Sequence, residues 1–177
     1  MPLPTIQTAR LTLRPWTVDD IDELHTLWTQ PEVRRYLWDD HVITREQAEE
    51  TVREFTGAEE NEGLGGWVML DSNAAIVGFV GLIRRNKDPE LLYGLAPHAW
   101  GHGFATEASR AVLAYAFDVL GVERITANTD TPNTASVRVL ERLGMRFTHE
   151  AAPHGLALVF YELQRDAFLT QLNTARH

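Results

Sequence analysis

Apolar and polar residues alternate through RLTLRPW (residues 10–16), the period of a strand with one buried face. The period then lengthens. Ile21, Leu24, Leu27 and Trp28 share one helical face, Thr17 and Asp20 stand ahead of them at capping-box spacing, and Pro31 follows. The same start recurs at Thr44 and Gln47, before Ala48, Val52 and Phe55 on one side of a second predicted helix. EVRRYLWDDH, between the two helices, reads as a short aromatic-bearing segment, and Gly63, Gly65 and Gly66 close the helical region. WVMLD and IVGFVGLI, either side of Ser72 and Asn73, predict an antiparallel hairpin, and ELLYGLA predicts a further strand stopped by Pro97. A helix with Ala105, Ala108, Val112, Ala116 and Val119 aligned follows, closed by Gly121. VERITANT reads as a strand, NTASVRVLERLG as a helix ended by Gly144, and MRFTHE with LALVFYELQ as a final strand pair. The predicted order is β-α-α-β-β-β-α-β-α-β-β. That is an α/β (α+β) chain with a mixed central sheet flanked by helices.

At 177 residues, without repeats, low-complexity tracts or a linker, the chain is expected to form a single domain over residues 1–177. No apolar stretch approaches the roughly 18 residues of a membrane span, and the start lacks a signal-peptide pattern, so no membrane partner and a cytoplasmic location are expected. The absence of cysteine excludes thiolate nucleophiles, disulfides and cysteine zinc sites. A formal net charge of −9 argues against nucleic acid and makes any anionic ligand dependent on local attraction.

That attraction has a candidate source in HAWGHGFATEA (residues 98–108), a glycine turn between a strand and a helix. The first N–H groups of a helix have no intrahelical acceptor, and with the helix dipole they favour a phosphate. Gly101 and Gly103 remove side chains that would block its approach. Glu107 and Arg110, the full charges of this stretch, cancel. A P-loop needs lysine and serine or threonine after its second glycine, and Gly103 is followed by Phe104 and Ala105. Gly101, Gly103 and Thr106 approximate a dinucleotide fingerprint, but Pro97, His98, Ala99 and Trp100 separate the strand from the first glycine, and no opening β-α-β unit precedes it. Two readings stay open: the diphosphate of coenzyme A, or a helix entry where glycine only relieves crowding.

ELLYGLAPHAWGHGFATEASRAVLAYAF followed by NTASVRVLERLGMRF resembles the GNAT superfamily of acetyl-CoA-dependent N-acyltransferases. It is most similar to the branch of Rim-type ribosomal-protein N-terminal acetyltransferases, with PEVRRYL also typical of that branch. The resemblance implies a mostly antiparallel sheet splayed at the acetyl-CoA site, and acetyl transfer to a primary amine by direct attack. Leu95, Ala96 and Pro97 match the splayed strand end that hydrogen-bonds the pantetheine arm, and the Leu95 N–H matches an oxyanion donor. Gly101, His102, Gly103, Phe104, Ala105 and Thr106 match the diphosphate loop. His98 stands where glutamine or arginine is usual. Asn133 matches a residue near the thioester and Ser136 a thiol-directed acid; read from the residues alone, they are equally a helix N-cap and a first-turn serine. Leu140 replaces a tyrosine common as the acid in the wider superfamily.

Glu90 is the favoured general base, since glutamate is common there in the branch; a carboxylate at a strand start is otherwise a solvated edge residue. His149, Glu150 and His154 are further candidates, and Tyr36 and Trp38 either line an acceptor pocket or fill the core. His98 and His102 lack a third ligand, so no metal is expected. The expected acceptor is a peptide or protein N-terminus or a cationic small molecule, and the chain a monomer or homodimer. The alternative is a catalytically inactive acyl-CoA-binding sensor or interaction module.

Overall fold

A computed structural model describes residues 2–56, 62–84 and 86–174. The strands β1 (Ile6–Gln7), β2 (Thr12–Pro15), β3 (Gly65–Leu70), β4 (Ile76–Arg84), β5 (Pro89–Leu95), β6 (Arg124–Asp130), β7 (Arg146–Ala151) and β8 (Leu158–Gln164) form one sheet in the order β1-β2-β3-β4-β5-β6-β8-β7. Every neighbouring pair is antiparallel except β5 and β6. The helices are α1 (Ile21–Trp28), α2 (Pro31–Leu37), α3 (Arg45–Thr56), α4 (Phe104–Asp118), α5 (Thr134–Arg142) and α6 (Arg165–Thr174).

Alternation along the strands divides the apolar side chains between two cores. Trp67 and Met69 of β3 enter the core shared with Val112, Leu113 and Ala116 of α4, whereas Val68 between them enters the core shared with Leu24 and Trp28 of α1 and Val52 of α3. The second core draws on β3, β4 and β5 but, among the described residues, on none from β6, β7 or β8. The first three helices therefore cover only one half of their sheet face.

Three elements lie outside the predicted pattern. EVRRYLWDDH contributes most of α2: Pro31 occupies the first helical turn, where its fixed φ suits a helix, and Val33 is buried. Seven residues with one buried position are too short for a periodic signal. After β8 the chain forms α6, anchored by Phe168 against Phe117 at 5.1 Å between ring centroids. The two-residue β1 pairs Ile6 with Leu13. The Thr17 capping box forms, but it opens a 3-10 turn ahead of α1. At Thr44 the reciprocal bonds are the Thr44 N–H to Gln47 Oε1 at 2.8 Å and the Gln47 N–H to Thr44 Oγ1 at 3.2 Å. Val119, expected on the buried face of α4, is its C-cap residue and 61% exposed.

Candidate active site

β5 and β6 are seven residues each and are paired at one position, Glu90 with Thr126. Beyond it they diverge. Backbone groups of successive strand residues point to opposite edges. The Ala96 N–H donates to the Val77 carbonyl at 2.9 Å, so those of Leu95 point the other way, into the gap. Consistent with this, the Leu95 carbonyl accepts from Trp100 Nε1 at 3.1 Å instead of from a strand.

The gap opens onto the glycine turn. Pro97–Ala99 forms a 3-10 turn, Gly101 has φ 78° and Gly103, the N-cap of α4, has φ 79°. Both are left-handed conformations that L side chains adopt only with strain. Among the described residues a Cβ on Gly101 would meet no atom within 4 Å, which leaves open space beside the loop. Gly103 supplies no side-chain cap, and the first intrahelical bond is from the Glu107 N–H to the Gly103 carbonyl at 3.0 Å. The amides of Phe104, Ala105 and Thr106 thus precede any helical acceptor. Thr106 Oγ1 is buried without a hydrogen-bond partner among the described residues. Uncapped amides, an orphaned hydroxyl and open space form a cradle for an anion.

Arg10, from the chain between β1 and β2, also reaches this helix mouth. Its Nε donates to Glu107 Oε2 at 2.7 Å, and its guanidinium lies 4.8 Å from the centre of the Phe104 ring. Partial burial would raise the Glu107 carboxyl, but hydrogen bonds from Thr8 and Arg10 hold it below the usual carboxylate range. No local sequence signal connects residues 97 positions apart.

On the α4 side of β5, Tyr93 spans the gap to α5. Its hydroxyl lies 2.8 Å from Ser136 Oγ and 3.1 Å from the Ser136 carbonyl oxygen. Burial drives the Tyr93 phenol far above its ordinary range, against the opposing effect of the Ser136 hydrogen bond. Asn133 caps α5 by accepting the Ser136 N–H at 3.2 Å, the ordinary helix-start role open to it from sequence. Leu140 is 1% exposed and belongs to the core.

Glu90 is half-buried and, three positions from Tyr93, stands on the opposite face with Leu92. Thr126, Asn128 and Asp130 occupy the same face of β6, since the intervening Ile125, Ala127 and Thr129 are buried on the other side. The Asp130 carboxyl is raised by burial and secondarily by the negative charge of Asp39, just beyond α2. Tyr36 and Trp38 are half-buried; Trp38 packs edge-on to Trp28 at 5.9 Å, which assigns it to the helical core. His149 stacks on Phe160 at 4.5 Å and lies with Glu150 on β7, separated from β6 by β8. His154 is on an exposed turn, so none of these three is brought to the gap. Among the described residues, no group of three or more His, Asp or Glu side chains is placed to hold a metal ion, and no helix is long and apolar enough to cross a membrane.

The acetyltransferase (GNAT) domain family matches residues 10–146. The uncharacterized N-acetyltransferase YoaA of Bacillus subtilis is 30% identical over 147 residues, covering 81% of this chain and 83% of that protein. The fold is similar to that of a GNAT-family acetyltransferase from Bacillus anthracis, with a TM-score of 0.80, 24% identity and coverage of 92% of this chain and 99% of the other. It is also similar to the spermidine N-acetyltransferase of Vibrio cholerae in complex with CoA and spermine, with a TM-score of 0.77, 21% identity and coverage of 90% and 98%.

Proposed function

The chain belongs to the GNAT acetyltransferase family and is an acetyl-CoA-dependent acyltransferase, and on that premise we propose that it acetylates a primary amine by direct attack. The acceptor is a cationic small molecule or a peptide or protein N-terminus. We further propose that it falls in the Rim-type branch, on the joint pattern of residues 100–108 and 133–144, and that residues 1–177 form one acetyltransferase domain. The observation that carries the reading is the gap between β5 and β6, opening directly onto an uncapped, glycine-entered helix.

Coenzyme A suits this donor set. Residues 101–106 would take its diphosphate, for which the orphaned Thr106 hydroxyl and the free helix amides are matched donors. Leu95, Ala96 and Pro97 would hold the pantetheine arm, with Asn133 and Ser136 beside the thioester. Bound there, the coenzyme supplies an acetyl thioester. The Leu95 N–H, directed into the gap, is placed to donate where negative charge develops. Glu90, on the face of β5 shared with Leu92, accepts the proton of the attacking amine through water, and Ser136, held by Tyr93, donates on the other face. β5 alternation puts Glu90 and Tyr93 on opposite faces, and Tyr93 holds Ser136 on its own face.

The magnitudes decide which group matters. Deprotonating an α-amine of pKa about 7.8 costs about 1 kcal/mol at pH 7, against about 4.6 for a lysine-type amine of pKa about 10.4. Glu90 therefore contributes most with the more basic acceptors. A thiol of pKa about 8.5 needs little more than a hydrogen bond to leave, so positioning and the Leu95 amide carry most of the rate. Asp130 and Asp39 bring negative charge to the acceptor face and favour a cation there.

Release of free thiol from acetyl-CoA against a panel of amines tests the reading. Polyamines, the ligand class named for the Vibrio cholerae neighbour, head the panel, followed by peptides with free N-termini and lysine peptides. Turnover on at least one class is expected. Calorimetric binding of coenzyme A with no turnover on any amine selects the inactive sensor instead, and binding of NADH but not coenzyme A revives the dinucleotide reading.

A further inference from the structure

The acidic chain holds a cation over the mouth of α4, and the charge comes from 97 residues away. The Arg10 backbone N–H donates to Glu107 Oε1 at 2.8 Å and its Nε to Oε2 at 2.7 Å, while Thr8 Oγ1 donates to Oε1 at 2.7 Å. Nη2 also lies 2.7 Å from Oε2. These bonds fix the guanidinium at the helix entry, where Nη2 is 3.6 Å from the position a Gly103 Cβ would take. The Phe104 ring lies 4.8 Å below the guanidinium and packs on the His102 ring at 5.5 Å. Arg10 Nη1 has no protein acceptor among the described residues, and the side chain is 50% exposed. The fork is thus half engaged by Glu107, with its remaining donors beside the loop whose amides await an anion.

We propose that Arg10 binds a phosphate group of the coenzyme's nucleotide end, and that Glu107 serves to hold the guanidinium in place for it. The inference rests on the acetyl-CoA reading of the site. It also explains how a chain of net charge −9 attracts a polyanion at a loop with no basic residue to spare, since Arg110 is directed to the Arg142 carbonyl at 3.0 Å.

Calorimetric titration of Arg10→Gln and Glu107→Gln with coenzyme A, 3′-dephospho-coenzyme A and 4′-phosphopantetheine tests it. Arg10→Gln is expected to weaken coenzyme A binding by about tenfold or more, the size of a charge-assisted hydrogen bond. A loss that disappears with the dephospho compound assigns Arg10 to the 3′-phosphate; one that persists there and disappears with phosphopantetheine, which keeps the pantetheine-side phosphate, assigns it to the adenosine-side phosphate of the diphosphate. Glu107→Gln, which leaves one acceptor oxygen for these donors and sets an amide N–H against the others, is expected to weaken binding by a smaller factor than Arg10→Gln and with the same dependence on the ligand. A purely structural clamp predicts equal losses for all three ligands in both variants, and that result overturns the proposal. The native protein supplies an arm independent of how Arg10→Gln folds: the Arg10 Nε–H NMR resonance, assigned with Arg10→Lys, is expected to shift on adding coenzyme A. An unmoved resonance with the coenzyme bound also overturns the role of Arg10. Failure of the native protein to bind coenzyme A at all would instead overturn the underlying reading of the site.

Discussion

The hydroxyl of Tyr93 lies 2.8 Å from Ser136 Oγ, tying the strand that leads into the glycine turn to the helix that follows β6. Tyr93 stays protonated because its burial disfavours the phenolate, so the pair is a proton-bearing one across the working pH range. Tyr93→Phe is expected to lower kcat about two- to tenfold, the value of one neutral hydrogen bond, with the amine KM unchanged. A change confined to KM would remove the pair from the acid role. The raised phenol also makes a stability statement. A group titrating higher in the folded chain contributes fully below its unfolded pKa of about 10 and loses that contribution as pH rises further. Denaturation profiles are expected to show stability falling above about pH 10 in the native protein, with a shallower fall in Tyr93→Phe.

Glu90 stands on the other face of β5, and its proposed base role makes acceptor basicity the discriminating variable. Glu90→Gln is expected to reduce kcat/KM by a larger factor for lysine-type amines than for peptide α-amines, since the deprotonation costs differ by about 3.6 kcal/mol. Steady-state kinetics on two peptides, one blocked at its N-terminus, checks this. Equal factors for the two would exclude a base role for Glu90.

The helix α5 was legible because NTASVRVLER and the terminating Gly144 lie together in local sequence, and the glycine turn because glycine at positive φ leaves its mark on composition. The resemblance supplied the splay itself, which one sequence does not encode locally. Arg10 and Tyr93 were not legible as site residues. Their partners, Glu107 and Ser136, are 97 and 43 residues away, and only the order of strands in the sheet brings them together. The helix α6 escaped for a different reason: Phe168 is its one buried residue, too few to set a period.

Gly103 is the turn position where the proposed binding role is open to test by substitution. Among the described residues a Cβ there meets only Arg10 Nη2, at 3.6 Å, so the cost of substitution is conformational, about 1–2 kcal/mol for a left-handed L residue. Gly103→Val is expected to retain the fold by circular dichroism while losing at least tenfold in coenzyme affinity. Unchanged affinity would contradict the loop assignment.

Asp20 anchors the entry to α1 away from the site and serves as a stability control. Its carboxylate takes Arg14 Nη1 at 2.9 Å and Nη2 at 2.6 Å, and the Thr17 N–H at 2.7 Å. Burial raises its pKa, but the bonds from Arg14 and Thr17 outweigh that and hold the carboxyl below its usual range. Such a group stabilises above its unfolded pKa of about 3.9 and loses the contribution as pH falls through the lower folded value. Asp20→Asn is expected to cost about 2–3 kcal/mol at neutral pH by chemical denaturation, and to flatten the loss of stability below about pH 4. The same acid sensitivity in the variant would assign it to other carboxylates.

A crystal structure with coenzyme A bound is decisive for the proposed site. Diphosphate oxygens are expected within hydrogen-bonding distance of the amides of residues 103–106, with the pantetheine arm lying between β5 and β6 against Leu95. A coenzyme seated elsewhere, with β5 and β6 closed on each other beyond Glu90, would contradict that site.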